Sequence, residues 1–166
     1  SGVAEDRRKV AQLSGNLART QIRTGQWELA EENLKSAIIG NNEYGAEMSQ
    51  AMNRLSLGML QTRRRQFTLA QRSLDDALEI ISRLDLKRER VIYAEYAGEL
   101  ALEKGDLFKA KAILTDAYHK GIMLAPSSAL VSQSARRLAE VELALDNFDE
   151  AMKFAQKSLE TSLQLG

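Results

Sequence analysis

The sequence contains no cysteine. That single absence removes disulfides, thiolate nucleophiles and cysteine-ligated zinc together, and it suits a cytoplasmic location. There is one histidine, His119. Alone it forms neither a metal cluster nor half of a serine–histidine pair, and Asp116, three residues earlier, offers it at most a local ion pair. One proline and ten glycines leave little room for a β-protein built on turns. Charge of one sign is also missing. Lys plus Arg equals Asp plus Glu at 23 each, so the positive excess usual in nucleic-acid binders is absent, and direct nucleic-acid binding is not expected. No apolar run approaches the roughly 18 residues that a membrane span requires, and no signal-peptide pattern is present. Nor is there a glycine-rich phosphate loop, an HExxH or a GxSxG. The paired acids Glu31–Glu32 and Asp75–Asp76 read as solvated helix faces. The expectation is a non-enzyme that uses no cofactor and no metal.

What is present is a repeated frame. Gly25, Trp27, Ala30, Leu34 and Ala37 recur as Arg65, Phe67, Ala70, Leu74 and Ala77. They recur again as Gly105, Leu107, Ala110, Leu114 and Ala117, and finally as Asp146, Phe148, Ala151, Ala155 and Ser158. The alanines at 30, 70, 110 and 151 lie 40, 40 and 41 residues apart. A fixed period in this range marks a solenoid. With 44% hydrophobic residues the chain has enough apolar surface for a core.

Apolar spacing predicts eight helices, near residues 4–24, 27–39, 44–64, 67–84, 87–104, 107–124, 128–145 and 148–164. Gly25 is a helix-terminating glycine. Gly40, Asn41 and Asn42 read as a loop. Asp106 reads as an N-cap, Ser127 or Ser128 as the cap after Pro126, and Asn147 with Glu150 as a weak capping box. Short turns make antiparallel hairpins. Each hairpin leaves one face for the next to cover. The predicted fold is all-α: a right-handed superhelical solenoid of four helical hairpins in one domain, with repeats at about 4–40, 44–84, 87–125 and 127–165. The start at Ser1-Gly2-Val3 resembles a tag remnant. The last residues, where an amphipathic helix is just ending, read as a cut within a larger protein. The final helix, through Met152, Ala155, Leu159 and Leu163, presents a face that a further helix would cover. That favours end-to-end homodimers through this helix.

The frame resembles the tetratricopeptide repeat, which pairs a small residue in its first helix with two in its second. Leu57–Gly58 stands where that family has its Leu–Gly pair. Ala97–Gly98, Leu17–Ala18 and Leu138–Ala139 occupy the same place in the other copies. Gly58 and Gly98, with Ala70 and Ala110, would let the two helices approach closely. Trp27, Phe67 and Phe148 would wedge the start of each second helix. The period departs from the family's usual length of about 34, and the proline that often ends a repeat is present only at Pro126. Long periods of this kind look like the repeat arrays of large bacterial signal-responsive transcription regulators. Kinesin light chains share them.

The resemblance implies a concave groove lined by the first helices of the hairpins. Its candidate binding residues are Arg19 and Arg23, then Met52, Met59 and Arg63, then Glu95, Tyr96, Glu99 and Glu103, then Arg136, Arg137 and Glu140. The groove would be basic at one end, apolar in the middle and acidic in the third repeat. The methionines would be adaptable contacts and Tyr96 an anchor. Met52, Leu55 and Ile92 could equally be mere filling between helices. The carboxylate clamp of co-chaperone members is not reproduced, since Gly15, Arg19, Ser56, Ile92 and Tyr96 stand at its positions. The run Arg63–Arg64–Arg65 complements a helix C-terminus. Lys87, Arg88 and Arg90 open a helix, where cations are unfavourable. The function expected is a non-catalytic module binding a protein or peptide segment within a bacterial signalling or transcription regulator. The alternatives are a small-ligand effector sensor and a structural spacer. Tyr96→Ala or Glu99→Arg should then weaken partner binding with little loss of stability.

Overall fold

The computed structural model describes residues 2–43 and 46–165. Residues 44 and 45, at the predicted start of the second repeat, lie outside the described residues. The described residues form eight helices and no strand. They are α1 (Gly2–Arg23), α2 (Trp27–Glu43), α3 (Glu47–Arg63), α4 (Phe67–Arg83), α5 (Lys87–Glu103), α6 (Leu107–Leu124), α7 (Ala129–Ala144) and α8 (Phe148–Leu165). Neighbouring helices pack in chain order, as α1 on α2, α3 on α4, α5 on α6 and α7 on α8. This is the packing of a helical-hairpin solenoid. The chain falls into two compact units, Ser1–Asp85 and Leu86–Gly166.

The turn inside each hairpin is the same turn four times. The residue at 25, 65, 105 or 146 takes a positive φ, at 77°, 59°, 82° and 59°. Two backbone bonds close each helix end. Gln26 N–H donates to the Gln21 carbonyl at 2.9 Å, and Gln66 to Gln61, Asp106 to Ala101 and Asn147 to Glu142 repeat it at 2.8, 2.9 and 2.8 Å. The shorter bond runs from Gly25, Arg65, Gly105 and Asp146 to the carbonyls of Ile22, Thr62, Leu102 and Leu143. This pair of bonds is the Schellman closure, which satisfies carbonyls left over at a helix end. Glycine adopts the left-handed backbone at no cost in two copies, and Arg65 and Asp146 are held there without it.

Several local expectations are corrected. Gly40, Asn41 and Asn42 belong to α2 and not to a loop. Gly40 packs so close to Ala11 of α1 that a Cβ there would lie 2.9 Å from the alanine's Cβ. Asn41 is 1% exposed, and its carbonyl accepts the Ala46 N–H at 3.0 Å. The glycine therefore serves helix contact, and the asparagine is interior. Asp106 does cap α6, accepting from Lys109 N–H at 3.4 Å. Ser128 holds the N-cap position of α7, but its hydroxyl turns back to the Ala125 carbonyl at 2.7 Å. Asn147 donates its side-chain amide to Glu142 at 2.8 Å, while Glu150 pairs with Lys153, so no capping box forms.

The first unit's core is built from Ala18 and Ile22 of α1, Ala30 and Leu34 of α2, and Leu57 and Leu60 of α3, with Trp27, Ile38 and Met59 against it. Trp27 is the expected wedge, and its indole donates to the Ile22 carbonyl at 3.3 Å. Gly58 is open to the Leu74 side chain, which a Cβ would meet at 2.7 Å. Gly98 does the same for Leu114. The small residues therefore admit a leucine from the opposing helix, beyond the alanine facing expected from the sequence. In the second unit Ala101, Ala110, Leu114, Leu138 and Val141 form the equivalent core, and Tyr118 meets Phe154 edge-on at 5.5 Å. Phe148, expected as a wedge, is 63% exposed.

Candidate binding surface

Each unit brings together two first helices, α1 with α3 and α5 with α7. In both, the seam between them is polar, whereas the hairpin interiors are apolar. Buried polar groups in such a seam need partners, because an uncharged polar group buried without one costs about 2–7 kcal/mol and a charged group more.

In the first unit Arg19 donates to Asn53 across the seam at 3.2 Å and also to Asn16 on its own helix. Asn53 is 2% exposed and sits where Gly15 leaves room for it. Arg23 is exposed and donates to Thr20 at 3.4 Å. Arg63 is exposed at the same register of α3, one period on. Met52 and Met59 are half-buried, and Met59 leans on the core. Leu55 is wholly buried and is core alone. The run Arg63–Arg64–Arg65 divides three ways. Arg64 reaches back to Glu31 at 2.6 Å and Glu28 at 3.7 Å on α2, and Arg65 lies over the Phe67 ring at 5.2 Å.

In the second unit the sequence-predicted residues meet one another. Arg137 of α7 is 7% exposed. Its guanidinium lies 2.6 Å from Glu99 and 3.9 Å from Glu95, both on α5, and 2.9 Å from Glu140. Glu140 uses its other oxygen for Arg136 at 2.9 Å. Burial works against the Arg137 charge, but Glu99, Glu140 and Glu95 outweigh it and hold the guanidinium above its ordinary range. Glu95, Glu99 and Arg137 are therefore interior partners and not an open lining. That corrects the expectation that Glu99→Arg would spare stability, since the variant would set a second guanidinium beside a buried one. Tyr96 is half-buried, and Glu103 and Arg136 are exposed. His119 is exposed, with its ring 5.6 Å from that of Tyr118. Among the described residues no cluster of three metal-ligating side chains exists, and no helix is long and apolar enough to cross a membrane.

No family model matches the sequence, and no curated protein matches it. Among solved structures the chain is similar to BtubC (BKLC) from P. vanneervenii. The TM-score is 0.71 at 22% identity, over 93% of this chain and 64% of that one. The chain thus spans less than two thirds of that protein's length. At this identity the likeness establishes the helical-repeat fold and says nothing of function.

One buried ion pair was not picked out from the sequence. Lys111 of α6 and Glu142 of α7 join at 2.7 Å, and Asn147 also donates to Glu142. Glu142 is 2% exposed. Burial disfavours its charge, but the Lys111 and Asn147 donors outweigh that and hold the carboxyl below the ordinary 4.5. An acid at the turn register was the available signal, since glutamines fill the same place at 21 and 61. Those glutamines bond Asn33 at 2.8 Å and Ser73 at 2.7 Å.

Proposed function

We propose that the chain is a non-catalytic interaction module of the tetratricopeptide kind with long, about 40-residue repeats, and that the α1–α3 face of its first unit receives a protein segment carrying carboxylates. The observation that supports this reading is the register match of Arg23 and Arg63. Both are exposed and both end a first helix, with the half-buried Met52 and Met59 alongside. Guanidinium forks suit carboxylates. Thioethers adapt to varied apolar contacts. In the second unit Arg136, Glu103, Glu140 and Tyr96 are the residues of the predicted set that still face outward, wholly or in part. A place within a bacterial signalling or transcription regulator rests on the long period alone.

The test is a titration of isotope-labelled protein with an acidic and a basic peptide of equal length. The acidic peptide should shift the Arg23 and Arg63 side-chain resonances and the Met52 and Met59 methyls. Equal response to both peptides, or none, would count against the face.

A further inference from the structure

We propose that copies of this chain associate head to tail, with the outer face of α1 of one copy seated in the α7–α8 groove of the next. Both halves of that joint are defined by the chain's own internal joints. In the first unit α3 lays Leu57 and Leu60 onto Ala18, Ile22, Ala30 and Leu34 of the hairpin before it. In the second, α7 lays Leu138 and Val141 onto Ala101, Ala110 and Leu114. One period arithmetic relates all four hairpins. It carries Ala18, Ile22, Ala30 and Leu34 to Ala139, Leu143, Ala151 and Ala155 in the last. Those four residues line a groove of about 420 Å³ together with Phe148 and Met152. Leu143 and Met152 are 56% and 69% exposed there, whereas Ile22 is 3% exposed.

The same arithmetic carries Leu57 and Leu138 back to Leu17, and Val131 back to Val10. Val10, Leu13 and Leu17 form an exposed apolar stripe along α1. The charges agree as well. The joint inside each unit has an ion pair across it, Glu31 with Arg64 and Lys111 with Glu142. On the α1 face and in the α7–α8 groove both partners are replaced together. Met152 stands at the position of Glu31 and Lys111, and Thr24 and Gln21 stand at those of Arg64 and Glu142. The groove also carries Arg136 and Glu140, but they pair with each other at 2.9 Å along α7, so seating α1 beside them strands no charge. A joint between two different surfaces repeats head to tail, into a ring where the rotation closes and an open chain where it does not, and not into a symmetric dimer.

Sedimentation of the whole chain across a concentration series tests this, with Leu17→Glu and Ala155→Glu as variants. Both residues are exposed in the single chain, so both variants should melt as the parent does. The parent's average mass should rise beyond twice the monomer with concentration, and each variant alone should stay monomeric. Mixed in equal amounts, the variants should give dimers and nothing longer, because one retains the groove and the other the α1 face. A parent that stays monomeric throughout would overturn the proposal. So would a variant that still associates, or a mixture that does not recover the dimer, as a symmetric pairing would require.

Discussion

The guanidinium of Arg137 lies 2.6 Å from the carboxylate of Glu99, and the two side chains are 9% and 5% exposed. One helix of each of two hairpins is thereby pinned to the other by charges that water barely reaches. Removing one partner should cost about 3–5 kcal/mol, because the other is left buried and uncompensated. Arg137→Ala or Glu99→Arg should therefore lower the denaturation midpoint strongly. Replacing both residues with methionine should recover part of that loss, a coupling that a double-mutant cycle on urea melts would read directly.

Acid should weaken the second unit through Glu142. The folded carboxyl is a stronger acid than the unfolded one, so the unfolded state binds more protons between the two values. The contribution is complete above about pH 4.5 and fades as pH falls through the lower folded value. Glu142→Gln should flatten the stability profile in that acid window and leave its slope near neutrality unchanged. Melts from pH 3 to 7 would check it. A parallel curve merely displaced downward would mean that Glu142 acts through packing alone.

Close helix approach can be tested at Gly58 and Gly98. A methyl at Gly58 would meet Leu74 at 2.7 Å, and one at Gly98 would meet Leu114 more closely still. Each Gly→Ala should cost roughly 1–3 kcal/mol by overpacking, in spite of alanine's better helix propensity, with Gly98→Ala the worse. Thermal melts of the two variants give the order.

The four identical helix ends make an opposite prediction. Asp146 holds φ 59° where Gly25 and Gly105 hold 77° and 82°. Asp146→Gly should stabilise by about 1 kcal/mol, as the left-handed strain is relieved against some added freedom in the unfolded chain. Arg65→Gly should gain less, since Arg65 also covers the Phe67 ring.

Much of this was legible in the sequence because a repeat states each rule several times. The turn at 25, 65, 105 and 146 was readable even where arginine or aspartate replaced glycine, since the alanine and leucine that follow kept their places. Helix limits were readable to within a few residues wherever such a turn closed them. The end of α2 was not, because Gly40 carries the same letter whether it breaks a helix or lets Ala11 approach. Among the candidate residues the register set Glu95, Glu99, Arg137 and Glu140 on one side, and the structure brings them together. It could not tell that they would face one another, since pairing depends on how α5 and α7 lie together. Exposure of Arg23 and Arg63 follows from nearby helix ends, where the packing contacts run out.

The most direct measurement for the proposed function is a selection from a random peptide library on the immobilised protein, run in parallel on the Arg23→Glu, Arg63→Glu double variant. The account predicts that the parent enriches segments with spaced carboxylates and an apolar residue between them, and that the variant loses them while melting at the parent's temperature. Enrichment of the same peptides by both proteins, or of none by the parent, would contradict it.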